Sequence, residues 1–384
     1  MYRLTEKEKN RAMTLLEDVL STVSVNGQSR EIAVAEYLEQ YFLDTPYEAR
    51  VQKIDEKRGN FLLDIPGEKK EGYIVWNGHM DTVPYGDPAS WSSDPADPAV
   101  RDGKIYARGS SDMKGGLCAM AFALHYMAEH SLKPSERIRF IGTCDEEKGG
   151  TGAEAILKEE FLGTPDFLLI GEPTDCNIGI AQKGCIWLEI LVKGRTSHGA
   201  YPWMGVNAAE LGFELCSQIN TYVSCQDHPI LSGATAVLTR AEGGVANNMV
   251  PDFMRFVMDI RSVPGITHEK LLGQFQSLAE LMIVQHPGLE IEMHVLNERI
   301  PVDIAPGNDY VRKLRGPAEK ICGKVPEDIG IYFFTDASVF LREHKIPTVL
   351  FGPGSPALCH KPDEYMELDK YFQAIEVYIN MLTE

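Results

Sequence analysis

Five short segments of this 384-residue chain place a side chain able to bind a cation just after a run that reads as a β-strand. They are Gly78-His79-Met80-Asp81, Ser111-Asp112-Met113-Lys114-Gly115-Gly116, Asp145-Glu146-Glu147, Gly171-Glu172-Pro173 and, far downstream, His360. Taken singly, each has an ordinary reading. His79 and Asp81 fit a polar turn, Asp112 a helix N-cap, the three consecutive carboxylates a solvated loop, and His360 a surface histidine. Their shared position decides otherwise, because open α/β sheets bind ligands in the crevice beyond the carboxyl ends of their strands. Gathered there, the five segments make a dinuclear metal site.

The residue types suit that chemistry. His79 and Asp81 stand two apart, so on an extended backbone they point to the same side. One ring nitrogen can then bind a cation while a carboxylate fixes the other. Asp112 has two oxygens and can bridge two cations. Of the neighbours Glu146 and Glu147, one can ligate while the other takes a proton from water. The inventory is two histidines (His79, His360) and three carboxylates (Asp112, Glu147, Glu172) as ligands, with Asp81 behind His79 and Glu146 left as general base. Nitrogen and carboxylate oxygen without thiolate suit zinc, cobalt or manganese, zinc being the first choice. Two such ions roughly 3.5–4 Å apart share a hydroxide and polarise a carbonyl, which is machinery for hydrolysis.

The elements that must hold these residues are legible as changes of rhythm. Glu8 to Tyr41 carries apolar residues at helical spacing (Leu15, Leu16, Val19, Leu20, then Ile32, Val34, Ala35, Leu38) and reads as two helices broken at Asn26-Gly27. Short, nearly continuous apolar runs at Tyr73–Asn77, Arg137–Gly142, Phe167–Ile170 and Thr348–Phe351 suit strands covered on both faces. Between the first two, Leu117, Met120, Ala121, Leu124 and Met127 mark one face of a crossover helix. The stretch Pro84 to Pro98 reads as a surface loop. From Ile186 to Leu296 the order changes to β-α-β-β-α-β, the ferredoxin-like unit. The fold expected is α/β: a catalytic domain of residues 1–184 and 300–384 around a central, mostly parallel sheet flanked by helices, with an inserted α+β domain at 185–299.

Composition excludes other classes. A formal charge of −19 and a pI near 5.0 argue against nucleic acid or an anionic membrane as partner, since both attract basic faces. No apolar run spans about 20 residues and the amino terminus lacks a signal-peptide core, so a cytoplasmic protein acting on small molecules is expected. The eight cysteines show no C-x-x-C pair and read as reduced thiols. Cys144, Cys176 and Cys359 lie near the candidate site, and a thiol nucleophile there is the minor alternative. No G-x-G-x-x-G follows the first strand, which argues against a dinucleotide-binding enzyme.

As an ordered set these segments resemble the M20 family of co-catalytic metallohydrolases, within it the acetylornithine deacetylase and succinyl-diaminopimelate desuccinylase group. The resemblance runs through Gly78-His79-Met80-Asp81-Thr82-Val83-Pro84, Arg108 to Gly116, Asp145-Glu146-Glu147, Gly171-Glu172-Pro173-Thr174, Ser197-His198-Gly199-Ala200 and His360-Lys361-Pro362-Asp363-Glu364-Tyr365. It implies one ion on His79 and Glu172, another on Glu147 and His360, Asp112 bridging, Asp81 orienting His79 and Glu146 as base. It implies further that the inserted domain is a lid and dimerisation domain whose His198 stabilises the oxyanion, often from the partner subunit. Arg261, Asn248 and Gly354 match substrate-binding positions: Arg261 beside the bland reading of a solvated charge, Asn248 beside that of a common turn, and Gly354, in the turn before His360, as a backbone amide for a carboxylate. The expected substrate is a small N-acyl amino acid and the expected assembly a homodimer. A dipeptidase or aminopeptidase of the same family is the near alternative, a noncatalytic binding protein of the same fold the remote one. Where relatives carry small residues before Thr335-Asp336, this chain has Tyr332-Phe333-Phe334, so neither acetylornithine nor succinyl-diaminopimelate follows as substrate.

Overall fold

The four apolar runs form adjacent parallel strands, ordered Arg137–Thr143, Tyr73–His79, Phe167–Ile170 and Thr348–Leu350, at the centre of a nine-stranded sheet. The computed structural model describes residues 1–69, 71–342 and 345–383. Antiparallel strands flank this parallel centre. Glu48–Lys53 and Gly59–Ile65 form a hairpin antiparallel to Arg137–Thr143 on one side, and Ile178–Gln182 runs antiparallel to Thr348–Leu350 on the other, so the sheet is mixed. A hairpin needs only a short turn, whereas a parallel neighbour needs a crossover.

Helices cover the sheet as the buried strands require. Lys114–Glu129 packs on strand Tyr73–His79 and between helices Glu6–Ser21 and Leu368–Thr383. Every residue of it from Lys114 to Met127 is buried, so it has no solvent face, in contrast to the single apolar face read from sequence. An all-round apolar helix is a core helix. Lys114 and His125 are polar exceptions: Lys114 Nζ donates to Val19 O at 3.0 Å and Thr22 O at 2.7 Å, the carbonyls at the end of helix Glu6–Ser21, and His125 Nε2 lies 3.0 Å from Asp44 Oδ1.

The chain divides into two compact units. The first comprises Met1–Ile180, Ile304–Ile329 and the chain from Thr335 onward. The second comprises Ala181–Asp303 with Gly330–Phe334, a return that the sequence had left with the larger domain. In the second unit a four-stranded antiparallel sheet, ordered Thr235–Gly243, Phe253–Arg261, Cys185–Lys193 and Glu290–Arg299, carries helices Ala208–Ser224 and His268–Gln285. Ile186, Leu188, Ile190 and Val192 alternate into its core at the period of two that a one-face-covered strand dictates.

Candidate metal centre

Strand Tyr73–His79 delivers His79 at its carboxyl end, where the ring is 2% exposed. Its Nδ1 lies 3.0 Å from the backbone carbonyl of Asp81, an N–H···O bond that in the neutral ring leaves Nε2 as the nitrogen able to ligate. Nε2 is 3.2 Å from Asp112 Oδ1 and 3.9 Å from Glu172 Oε1. On the other side of Asp112, His360 Nε2 is 3.3 Å from Oδ2 and 3.0 Å from Glu147 Oε2. Two triads result, His79/Asp112/Glu172 and Asp112/Glu147/His360, each with one donor atom per residue within 4.8 Å of the others. Asp112 belongs to both.

The polypeptide holds Asp112 by its backbone, leaving the carboxylate free. Met113, not Asp112, is the N-cap of helix Lys114–Glu129, and no side chain caps that end. Instead Glu364 Oε1 accepts the N–H groups of Ser111 at 2.8 Å and Asp112 at 3.0 Å, while Oε2 pairs with Arg108 Nη1 at 2.7 Å. Close backbone approach completes the arrangement. A Cβ on Gly116 would stand 1.8 Å from Gly171 O, beside Glu172, and one on Gly354 would stand 2.2 Å from Ser111 O. Gly354 thus packs against the segment that carries Asp112.

Asp81 acts on the turn more directly than on the ring. Its carboxylate is 3.6 Å from His79 Nδ1 but accepts the N–H of Glu146 at 3.1 Å and of Glu147 at 3.2 Å. Glu146 is 7% exposed and belongs to neither triad. Burial, with Asp336, Glu172 and Glu147 near it, pushes its carboxyl well above the usual range despite the opposing pull of His79. Burial likewise pushes Glu172 well up, with Asp112 adding to it. The His360 ring, hydrogen-bonded to Asp112 and Glu147, is pushed up to about 10.

These residues fit two divalent cations. Glu172 Oε2 is buried with no hydrogen-bond partner, a state that costs free energy unless another electropositive group meets the oxygen. Four carboxylates, Asp112, Glu146, Glu147 and Glu172, converge around two histidines, an excess of buried negative charge that cations would balance. The donor set is imidazole nitrogen and carboxylate oxygen, the set that zinc, cobalt and manganese accept.

The three thiols near the candidate site are not activated. All eight cysteines are free, and burial pushes Cys144 and Cys359 well above their ordinary range. A hydrogen bond with Cys322, together with burial, does the same to Cys176.

The second unit carries the other three predicted residues. His198 is exposed, and its Nδ1 accepts the Ala200 N–H at 3.0 Å, which puts the proton of the neutral ring on Nε2. Asn248 is also exposed and lies against the same loop, its carbonyl accepting the Gly199 N–H at 2.7 Å. Arg261 pairs with Asp259 at 2.7 and 3.0 Å and lies over the Phe334 ring. It lines a cavity of about 530 Å³ with Lys183, Thr235 and Tyr332, the first residue of the bulky 332–334 segment.

The description "Peptidase family M20/M25/M40" fits residues 75–384, most of the chain. The chain belongs to peptidase family M20/M25/M40. Within that family it is 30% identical over 409 aligned positions to a probable succinyl-diaminopimelate desuccinylase of Staphylococcus aureus (strain MRSA252), covering 98% of this chain and 97% of that one. It is 31% identical over 367 positions to an acetylornithine deacetylase of Pectobacterium carotovorum, covering 94% and 92%. Two solved structures share the fold. The aminopeptidase PepT of Bacillus cereus superposes with a TM-score of 0.78 at 22% identity, covering 98% of each chain. A dinuclear metal binding M20 peptidase of Bacillus subtilis superposes with a TM-score of 0.76 at 12% identity, covering 99% and 98%. The protein is a hydrolase of the M20 family.

Several residues of this M20 site carried no assigned role in the sequence reading. Glu364 and Arg108 sit inside motifs that were recognised, but their buried pairing depends on bringing together positions 256 apart. Asp336 accepts the Thr143 hydroxyl hydrogen and adds negative charge near Glu146; the signal was the Thr335-Asp336 pair itself. Asn26 had only its place in a helix break. Among the described residues no helix is long and apolar enough to cross a membrane.

Proposed function

We propose that this M20 hydrolase cleaves the acyl amide of small N-acyl amino acids with two divalent cations, zinc by preference and cobalt or manganese as alternatives. The observation that carries the reading is Asp112 shared by two three-residue donor groups, with buried Glu146 beside them and in neither. His79 and Glu172 would hold one ion, Glu147 and His360 the other, and Asp112 both. Such ions supply an acidified water and a polarised carbonyl when bound. Glu146 takes the proton from the attacking water and returns it to the leaving amine. His198, with its proton on Nε2, donates to the oxygen that becomes negative.

Relatives at about 30% identity named as a desuccinylase and a deacetylase support the acyl-amide reading. In this reading Arg261 and Asn248 contact the substrate and Gly354 offers it a backbone amide. The second unit is a lid through which a cytoplasmic homodimer forms. The test is turnover by zinc- and cobalt-loaded protein on acetylated and succinylated amino acids and on dipeptides. Preference for N-acyl substrates is expected. Strict dipeptide preference would make the protein a peptidase, and tight binding without hydrolysis of any member would make it a binding protein.

A further inference from the structure

The loop between helices Glu6–Ser21 and Ile32–Tyr41 runs beside the end of strand Tyr73–His79. There Asn26, 8% exposed, donates its backbone N–H to Thr82 O at 2.8 Å. Its side-chain amide has two hydrogens, and both go to buried carboxylates, Asp81 Oδ2 at 3.0 Å and Asp145 Oδ1 at 2.9 Å. Those two carboxylates hold the same turn from opposite ends. Asp81 accepts the N–H groups of Glu146 and Glu147. Asp145 opens the turn with a φ of +61°, a left-handed conformation that a non-glycine residue adopts at a cost.

The rest of the cluster keeps Asp145 in that conformation. Its N–H is donated to Glu31 Oε2 at 2.8 Å, and its Oδ2 accepts from Arg58 Nη1 at 3.3 Å and from the Thr151 backbone and hydroxyl. Of the clustered acids Arg58 reaches Asp145, and it also pairs with Asp55. Without the Asn26 amide, Asp81 and Asp145 would be two buried anions with no donor between them, a costly arrangement. An amide suits the position because a carboxylate would add a further anion and a hydroxyl could donate only once.

We propose that Asn26 is a positioning residue for the hydrolysis: by joining Asp81 to Asp145 it locks the Asp145–Glu147 turn, fixing Glu146 as base and Glu147 as ligand. The inference rests on the roles given to those two glutamates above. The test is Asn26→Ala, with Asn26→Ser as the variant that keeps one donor. Two readouts are taken: backbone hydrogen exchange across residues 144–149, and kcat and KM per metal-loaded chain.

In Asn26→Ala the Glu146 and Glu147 amides should exchange about tenfold faster, as loss of one hydrogen bond's worth of protection implies. Strand Arg137–Thr143 should keep its wild-type rate. The kcat should fall about 10- to 100-fold, the usual cost of removing an outer-shell partner, with KM within twofold. Asn26→Ser should fall between alanine and wild type, and it carries the test alone if alanine does not fold. Wild-type exchange in the turn, or a kcat within twofold of wild type in the substituted protein, would overturn the proposal. Should the wild type hydrolyse no substrate, the functional reading fails while exchange still decides whether Asn26 locks the turn.

Discussion

Replacing Glu364 tests how the shared ligand is held. The side chain is fully buried, pairs with Arg108 at 2.7 Å and accepts two backbone N–H groups at 2.8 and 3.0 Å. Breaking a buried pair by removing one partner costs about 3–5 kcal/mol. Two amides losing their acceptor add about 1 kcal/mol each. Arg108 softens the loss, since it also donates to Lys361 O at 3.2 Å and Pro84 O at 3.4 Å and lies over the Trp91 ring. Glu364→Ala should therefore destabilise by about 4 kcal/mol, a large share of the roughly 5–15 kcal/mol that holds a folded protein. Glu364→Gln keeps an oxygen for the two amides and should cost about half as much.

The measurement is urea unfolding by circular dichroism, with hydrogen exchange assigning the transition to the first unit. Metal affinity follows the same order, because a displaced Asp112 weakens both triads; a loss of about 10- to 100-fold is expected for alanine. An alanine variant within 1 kcal/mol of wild type would refute the reasoning. So would a glutamine variant as damaging as alanine.

Two further substitutions probe packing and the lid. Gly116→Ala puts a Cβ 1.8 Å from Gly171 O, so the helix must shift away from the Glu172 strand end; a loss of at least about 1–3 kcal/mol is expected by thermal or urea unfolding, and unchanged stability would contradict the close approach. His198→Ala should leave both metals bound by elemental analysis yet lower kcat about 10²- to 10³-fold, the cost of one oxyanion donor, and a kcat within twofold of wild type would remove it from that role.

How far the molecule could be read from its sequence depended on whether a residue's position follows from its own element. His79, Glu147, Glu172 and His360 follow recognisable strand-like runs and Asp112 stands at the start of the crossover helix, and the donor atoms of these five meet in the structure. The parallel strands were legible for the same reason, whereas the antiparallel flanks were not, because Glu48–Lys53 and Ile178–Gln182 lack an apolar pattern that distinguishes pairing direction. Helix Lys114–Glu129 shows periodic large residues, yet its glycines and alanines are buried too, and only its neighbours reveal that it has no outer face. Residues that work on the backbone of others stayed out of reach. The Asp81 carboxylate accepts the Glu146 and Glu147 amides, Glu364 those of Ser111 and Asp112, and Asn26 lies between Asp81 and Asp145. No periodicity or spacing encodes such contacts, since they arise only when distant segments meet.

In the proposed reaction five ligands hold two cations while Glu146, in neither triad, moves the proton. Glu146→Gln tests it most directly, since the amide keeps the side chain's size but cannot take a proton from water. Two divalent ions per chain are expected by elemental analysis, with a kcat on the best N-acyl amino acid lowered about 10²- to 10⁴-fold, the share general-base catalysis supplies. Wild-type turnover with both ions in place would contradict it, as would loss of an ion in the variant, which would make Glu146 a ligand.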